Sequence, residues 1–182
     1  MNPSHLKDTF TQSSINTPLG PMIAIASDSA LYLLEFMGNS SAEQKITRQQ
    51  AKTGASFVLG ENPIITSIKT ELANYFNGRL DAFKTPLCLL GTTFQQTVWK
   101  ALCNTTPGET LSYQSLATSI GKPSACRAVA NANRTNQLAI VIPCHRIIQS
   151  NGQLGGYAGG AHRKQQLIFL EKTLYLSDTA LG

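Results

Sequence analysis

The chain has 182 residues, 42% of them hydrophobic, with four cysteines and a formal net charge of +5. That length allows one large domain or two small ones, and the apolar fraction is enough to bury a core, which excludes a low-complexity or solvated chain. The positive charge is modest: it fits a polyanionic partner without identifying one. No apolar run approaches the roughly 20 residues needed to cross a bilayer, and Met1 to Gln12 lacks the apolar core of a secretory signal. A cytoplasmic protein with reduced thiols is therefore expected. Cys88, Cys103, Cys126 and Cys144 include no Cys-x-x-Cys pair, and His5, His145 and His162 are scattered, so no metal site is expected.

In chain order, Ser14 to Thr17 leads into a turn at Pro18 to Pro21, Met22 to Ala26 reads as a strand, Asp28-Ser29 as a turn and Leu31 to Phe36 as a further strand. Together these predict a meander. Glu43 to Gln50 is polar and fits a helix. Pro63 to Phe76 places Ile64, Ile65, Ile68, Leu72, Tyr75 and Phe76 at helical spacing and is stopped by Asn77-Gly78. Arg79 to Gly91 contains Pro86, shows no period and reads as a linker. The boundary is placed so that residues 1–88 form an α/β domain and residues 89–182 a mostly helical one.

The second half opens with a helix capped by Thr92 or Thr93, carrying Phe94, Val98, Trp99 and Leu102 on one side and broken at Pro107-Gly108. Ser112 caps a short helix from Tyr113 to Ser119. After Gly121-Lys122-Pro123, Ser124 caps another that runs to about Asn133 with Ala125, Ala128, Val129 and Ala132 inward. Two short helices around a tight turn make a helix-turn-helix pattern, one use of which is DNA binding. Arg127 then reads either as a solvated residue or as a cation presented to DNA.

The stretch Val141-Ile142-Pro143-Cys144-His145-Arg146 carries the chemistry. Ala139 to Ile142 reads as a short buried strand ended by Pro143, which puts Cys144 where the chain leaves the core. Adjacent cations lower a thiol's pKa, and a neighbouring imidazole can polarise or deprotonate it. On these residues alone, a nucleophile and an inert buried cysteine beside a basic pair both remain open.

Ordered motifs resolve the choice. Gly91-Thr92-Thr93-Phe94-Gln95, Val98-Trp99, Pro107-Gly108-Glu109-Thr110, Ser112-Tyr113, Arg127-Ala128-Val129-Ala130, Asn136, Pro143-Cys144-His145-Arg146, Gly155 to Gly160 and Lys164 to Glu171 resemble the O6-alkylguanine-DNA alkyltransferases over about Gly91 to Glu171. The resemblance implies an RNase H-like N-terminal domain, with a small antiparallel sheet and helices, and a winged helix-turn-helix-like C-terminal domain. It implies direct-reversal repair: an alkyl group on O6 of guanine, or O4 of thymine, moves irreversibly to Cys144 after base flipping by a minor-groove helix-turn-helix. By the same resemblance, His145 would act as base through a water and Glu171 would orient its imidazole, and the roles that follow are implied in the same way. Tyr113 assists extrusion and protonates the leaving base, and Asn136 ties the recognition helix to the active-site strand. Arg127 is the finger that enters the duplex, while Gln114, Ala125, Ala128, Arg134 and Ser150 face DNA alongside Tyr113. Tyr157, Ala158, Gly159, Ile147 and Pro143 form the substrate pocket.

The resemblance implies no cofactor, no membrane, no obligate protein partner and a monomer. It departs from relatives that carry an N-terminal zinc, since no cysteine precedes Cys88. It also departs from those with a proline-rich approach to the cysteine: Gln137 and Ala139 stand there, which predicts a roomier pocket. Two rival readings are a non-catalytic lesion-binding protein and a multiple-turnover cysteine hydrolase. The intact Pro-Cys-His-Arg weighs against the first.

Overall fold

The computed structural model describes residues 9–38 and 40–175. Residues 1–8, on which most of the reading of the N-terminus rests, lie outside the described part. Strand β1 (Thr9–Ile15) pairs antiparallel with β2 (Met22–Ala26), and β2 with β3 (Leu31–Phe36), giving the expected meander. Every residue of β2 is buried because both of its faces are covered. Met22, Ala24 and Ala26 join the main core, whereas Ile23 and Ile25 join a smaller cluster with Phe10, Leu33 and Ala55. This alternation follows from the two-residue period of a strand.

Helix α1 (Ser40–Thr53) packs Ile46 on the smaller cluster. A fourth strand, β4 (Ser56–Leu59), was not legible in the sequence. It pairs in parallel with β1, so the sheet is mixed and ordered β3-β2-β1-β4. β4 is a short edge strand with Val58 and Leu59 exposed, and so lacks the alternation that marks a half-buried strand. Helix α2 (Pro63–Phe76) has the predicted bounds. Asn62 Oδ1 accepts from the Ile65 amide, Pro63 opens the first turn, and Gly78 at φ 67° follows the Asn77 cap. Its apolar face covers the main core. The expected linker is docked rather than free: Leu31 N donates to Pro86 O at 2.8 Å and Cys88 N to Leu31 O at 2.9 Å, alongside the edge strand β3.

Helix α3 (Thr93–Cys103) is capped by Thr92, whose hydroxyl accepts from Gln95 N while Gln95 Oε1 accepts from Thr92 N. Strand β5 (Leu111–Ser112) precedes α4 (Tyr113–Ser119), which Ser112 caps as expected. Ser124 does not cap α5 (Cys126–Arg134); Ala125 holds that position without a side-chain bond. Val129 and Ala132 point inward, but Ala128 is exposed.

Residues 139–142 are buried as expected, yet they are not a strand. Leu34 N donates to Gln137 O and Ala139 N to Leu34 O, after which Ile140 adopts φ 72° and Ile142 N turns back to Leu138 O. The left-handed backbone ends ladder pairing at once; for a β-branched residue it is rare and costly. A 3-10 turn, Cys144–Arg146, leads to strand β6 (Ile147–Ile148), which pairs in parallel with β5. The closing helix is α6 (Ala161–Tyr175). One apolar cluster joins Leu34 and Phe36 of the sheet to Trp99, Val129, Ile142 and Leu167. The sheet and the helical half thus share a core.

Trp99 locks α3 to α5: its ring is buried and Nε1 donates to Ala132 O at 2.8 Å. Trp99→Phe removes that bond and leaves Ala132 O with the Thr135 hydroxyl, which donates to it at 3.0 Å, so the cost should be that of one hydrogen bond, about 0.5–1.5 kcal/mol. Urea denaturation should report this as a lower midpoint with an unchanged slope.

Candidate active site

Cys144 lies at the end of the buried turn, 6% exposed, and borders a cavity of about 480 Å³. Asn136 places it. Its Nδ2 donates to Cys144 Sγ at 3.1 Å and to Ile142 O at 2.8 Å, and its Oδ1 accepts from Leu138 N at 2.9 Å. One amide thereby fixes both ends of the 138–144 turn and the sulfur itself. Asn133, on the last turn of α5, donates to Cys144 O at 3.2 Å.

Burial pushes the Cys144 thiol pKa up. The Asn136 bond and the charges of Lys45 and Lys164 oppose this, and Glu35 adds to it. The flanking basic pair does not lower it as the sequence suggested, because both side chains turn to Glu171. Arg146 grips that carboxylate with Nε on Oε2 and an Nη on Oε1, each at 3.0 Å. Its other Nη donates to Thr105 O. His145 Nε2 lies 2.7 Å from Glu171 Oε1. Tyr75 Oη of α2 donates to the same oxygen at 2.7 Å, and Gly108 N donates to Oε2 at 3.0 Å.

Burial alone would raise the Glu171 pKa, but the bonds and charges of His145 and Arg146 hold it well below the usual carboxylate range. Burial pushes His145 down; Glu171 pulls it up, while Arg146 and Lys164 push it further down. The net is a neutral imidazole beside a carboxylate that stays ionised. An ionised carboxylate only accepts, so Nε2 carries the proton and Nδ1 is the free acceptor. Nδ1 is buried and has no hydrogen-bond partner among the described residues. A third buried group, Lys164, is pushed down to about 8 by burial, and its Nζ donates to Ile147 O at 2.5 Å and Gly156 O at 3.4 Å. It ties α6 to β6 and to the Gly-rich loop.

The cavity wall includes Tyr113, Arg134, Tyr157 and Ala158. Three expected pocket residues do not reach it. Ile147 is fully buried in the core. Gly159 is buried, with no room for a Cβ beside the Tyr157 and Phe36 rings. Pro143 borders a separate cavity of about 150 Å³ with Tyr75 and Arg146. Gln137 and Ala139 do not line the main cavity either. Gln137 accepts from Gln49 at 2.6 Å and Ala139 bonds β3, so they give no ground for a roomier pocket.

On the helix-turn-helix, Arg127 and Ala128 are exposed and Ala125 is half-buried. Gln114 is exposed and braces the turn by donating to Pro123 O at 2.8 Å; Ser150 is exposed beyond β6, away from the cavity. Burial raises the Tyr113 pKa, with an Asn133 bond opposing.

Several site residues escaped the sequence reading. Tyr75 looked like one more apolar residue of its helix, and Asn133 like a helix end. Ser41, Gln44, Lys45 and Arg48 of α1 also line the cavity. Their only signal was a polar row at i, i+3, i+4, i+7, which usually means a solvated face. Among the described residues no group of three or more His, Cys, Asp or Glu could hold a metal, and no helix is long and apolar enough to cross a membrane.

A thiol at a cavity edge, with an imidazole–carboxylate pair on the next residue and an adjoining helix-turn-helix, is an arrangement that can serve a cysteine nucleophile set on a helix-turn-helix scaffold. Residues 11–89 match the 6-O-methylguanine DNA methyltransferase, ribonuclease-like domain, and residues 93–173 match the 6-O-methylguanine DNA methyltransferase, DNA binding domain. A methylated-DNA–protein-cysteine methyltransferase of Mycobacterium leprae is 40% identical over 92% of this chain and 96% of its own length. One from Methanosarcina barkeri is 39% identical over 87% and 94%. The crystal structure of Mycobacterium tuberculosis OGT in complex with DNA superposes with a TM-score of 0.77 at 39% identity, covering 90% of this chain and 93% of that one. The chain belongs to the methylated-DNA–protein-cysteine methyltransferase family.

The carboxyl of Glu171 ionises at lower pH in the folded than in the unfolded chain. Its contribution to stability is therefore full above about pH 4.3, the ordinary glutamate value, and is lost as pH falls below it. Glu171→Gln should cost about 3–5 kcal/mol at neutral pH by stranding buried Arg146. It should also flatten the acid limb of stability against pH, measured by denaturant titration at several pH values.

Proposed function

We propose that this protein repairs alkylated DNA by moving the alkyl group from O6 of guanine to Cys144 in a single, irreversible turnover. The observation that carries the reading is the placement of Cys144: the same cavity is bordered by the sulfur and by Tyr113, Ala130 and Arg134 of the helix-turn-helix. The family and the DNA-bound relative support it.

His145 Nδ1 takes the thiol proton through a bridging water, and the ionised Glu171 stabilises the imidazolium. Sγ then attacks the alkyl carbon in line. The carbon–O6 bond breaks with its electron pair going to the base, and Tyr113 Oη supplies a proton to the leaving guanine. The thioether is stable, so each molecule acts once and needs no cofactor.

A side chain cannot approach O6 in line within the stack, so the nucleotide is flipped out. Arg127, exposed on the first turn of α5, fills the gap it leaves. Gln114, Ala125, Ala128 and Ser150 approach the duplex in the minor groove, whose degenerate pattern suits repair in any sequence. Tyr157 and Ala158 wall the base. O4-alkylthymine is the second substrate. The chemistry resides in residues 89–182 and the protein works as a cytoplasmic monomer.

Cys144→Ser should abolish transfer from an O6-methylguanine duplex while duplex binding in a gel-shift titration stays within about twofold of wild type, since the substitution removes no phosphate contact. Arg127→Ala should slow repair of the duplex by more than ~10-fold relative to its effect on free O6-benzylguanine, because flipping costs a few kcal/mol that only the duplex incurs. Equal slowing of both would remove the finger role.

A further inference from the structure

The cavity beside Cys144 is lined by three cations, Lys45, Arg48 and Arg134, and by no carboxylate. Two of the three come from α1, in the ribonuclease-like half. Their charges are not equivalent. Lys45 is spent behind the wall, where its Nζ bonds the Glu35 carboxylate and Asn136 O. Arg48 is exposed, and no carboxylate pairs with it among the described residues. Arg134 on α5 is also exposed, and among the described residues its side chain donates to the neutral Asn131 at 3.1 Å.

Polar bonds help fix the position of α1, alongside the inward packing of Ala42 and Ile46. Lys45 reaches β3 and the Asn136 backbone. Gln49 Nε2 donates to Tyr32 O and to Gln137 Oε1, both at 2.6 Å, and Lys52 Nζ donates to Leu90 O at 2.8 Å. Directional bonds to three separate segments fix the helix's rotation and its register along the sheet. Ser41, Gln44 and Arg48 then share the face turned to the cavity.

A base that enters this cavity leaves its sugar and phosphates at the mouth. An unpaired guanidinium there meets a phosphodiester, which it binds by charge-assisted hydrogen bonds. We propose that Arg48 of α1, together with Arg134 of α5, binds a backbone phosphate next to the flipped nucleotide, making the N-terminal half a second DNA-contacting element. The proposal rests on the reading of this protein as a DNA alkyltransferase.

The test is the second-order rate of methyl transfer from an O6-methylguanine duplex, measured over a salt series for wild type, Arg48→Gln and Arg48→Lys. Losing one phosphate contact should lower the Arg48→Gln rate ~3–10-fold at low salt and make its log–log salt slope shallower by about one. Arg48→Lys should recover most of both, and free O6-benzylguanine should lose less than the duplex does. An Arg48→Gln rate and slope equal to wild type would overturn the proposal. So would equal losses in the Gln and Lys variants at the wild-type slope, or equal losses on duplex and free base. A wild type that accepts no methyl from duplex or free base would instead overturn the reading beneath it, and the proposal with it.

Discussion

The carboxylate of Glu171 is the interaction on which this structure depends. Buried at the middle of α6, it accepts from Tyr75, Gly108, His145 and two nitrogens of Arg146. Those donors come from α2, the loop after α3 and the 3-10 turn, so one ionised group joins both halves of the chain around the cysteine. A buried carboxylate is expensive unless nearly all its lone pairs are used. Here they are used, and the positive charge of Arg146 offsets its own. The same bonds set the tautomer of His145 and leave Nδ1 as the free acceptor.

The thiol is governed by a second device. Asn136 spans the turn and touches Sγ, while burial keeps the sulfur protonated at rest. A permanently ionised thiolate would react with any electrophile that reached the cavity. A buried, protonated thiol is the less reactive form, because the thiolate is the nucleophile. The strained Ile140 is part of the same turn: its positive φ reverses the chain between the sheet contact and the cysteine. An extended strand through these residues would carry Cys144 away from Asn136.

Much of this was legible in the sequence because it is written locally. The Ser112 cap, the stop at Asn77-Gly78 and the Met22–Ala26 and Leu31–Phe36 strands each rest on residues a few positions apart. Ordered motifs singled out Cys144, His145, Asn136 and Glu171, and the structure joins Asn136 to Cys144 and His145 to Glu171. What escaped depends on partners far along the chain. Tyr75 finds Glu171 across the core, β4 finds β1 by parallel pairing, and α1 finds the cavity through Lys45 and Gln49. Pocket membership was also illegible. Pro143, Ile147 and Gly159 sit next to site residues in sequence but face the core or a different cavity, which only the turn's geometry decides.

The most direct measurement is intact and peptide mass spectrometry after incubation with a duplex holding one O6-methylguanine. The account predicts a gain of one methyl, confined to the peptide containing Cys144 and capped at one equivalent per protein. An unchanged mass with the duplex still bound, or methyl release over repeated turnovers, would contradict it.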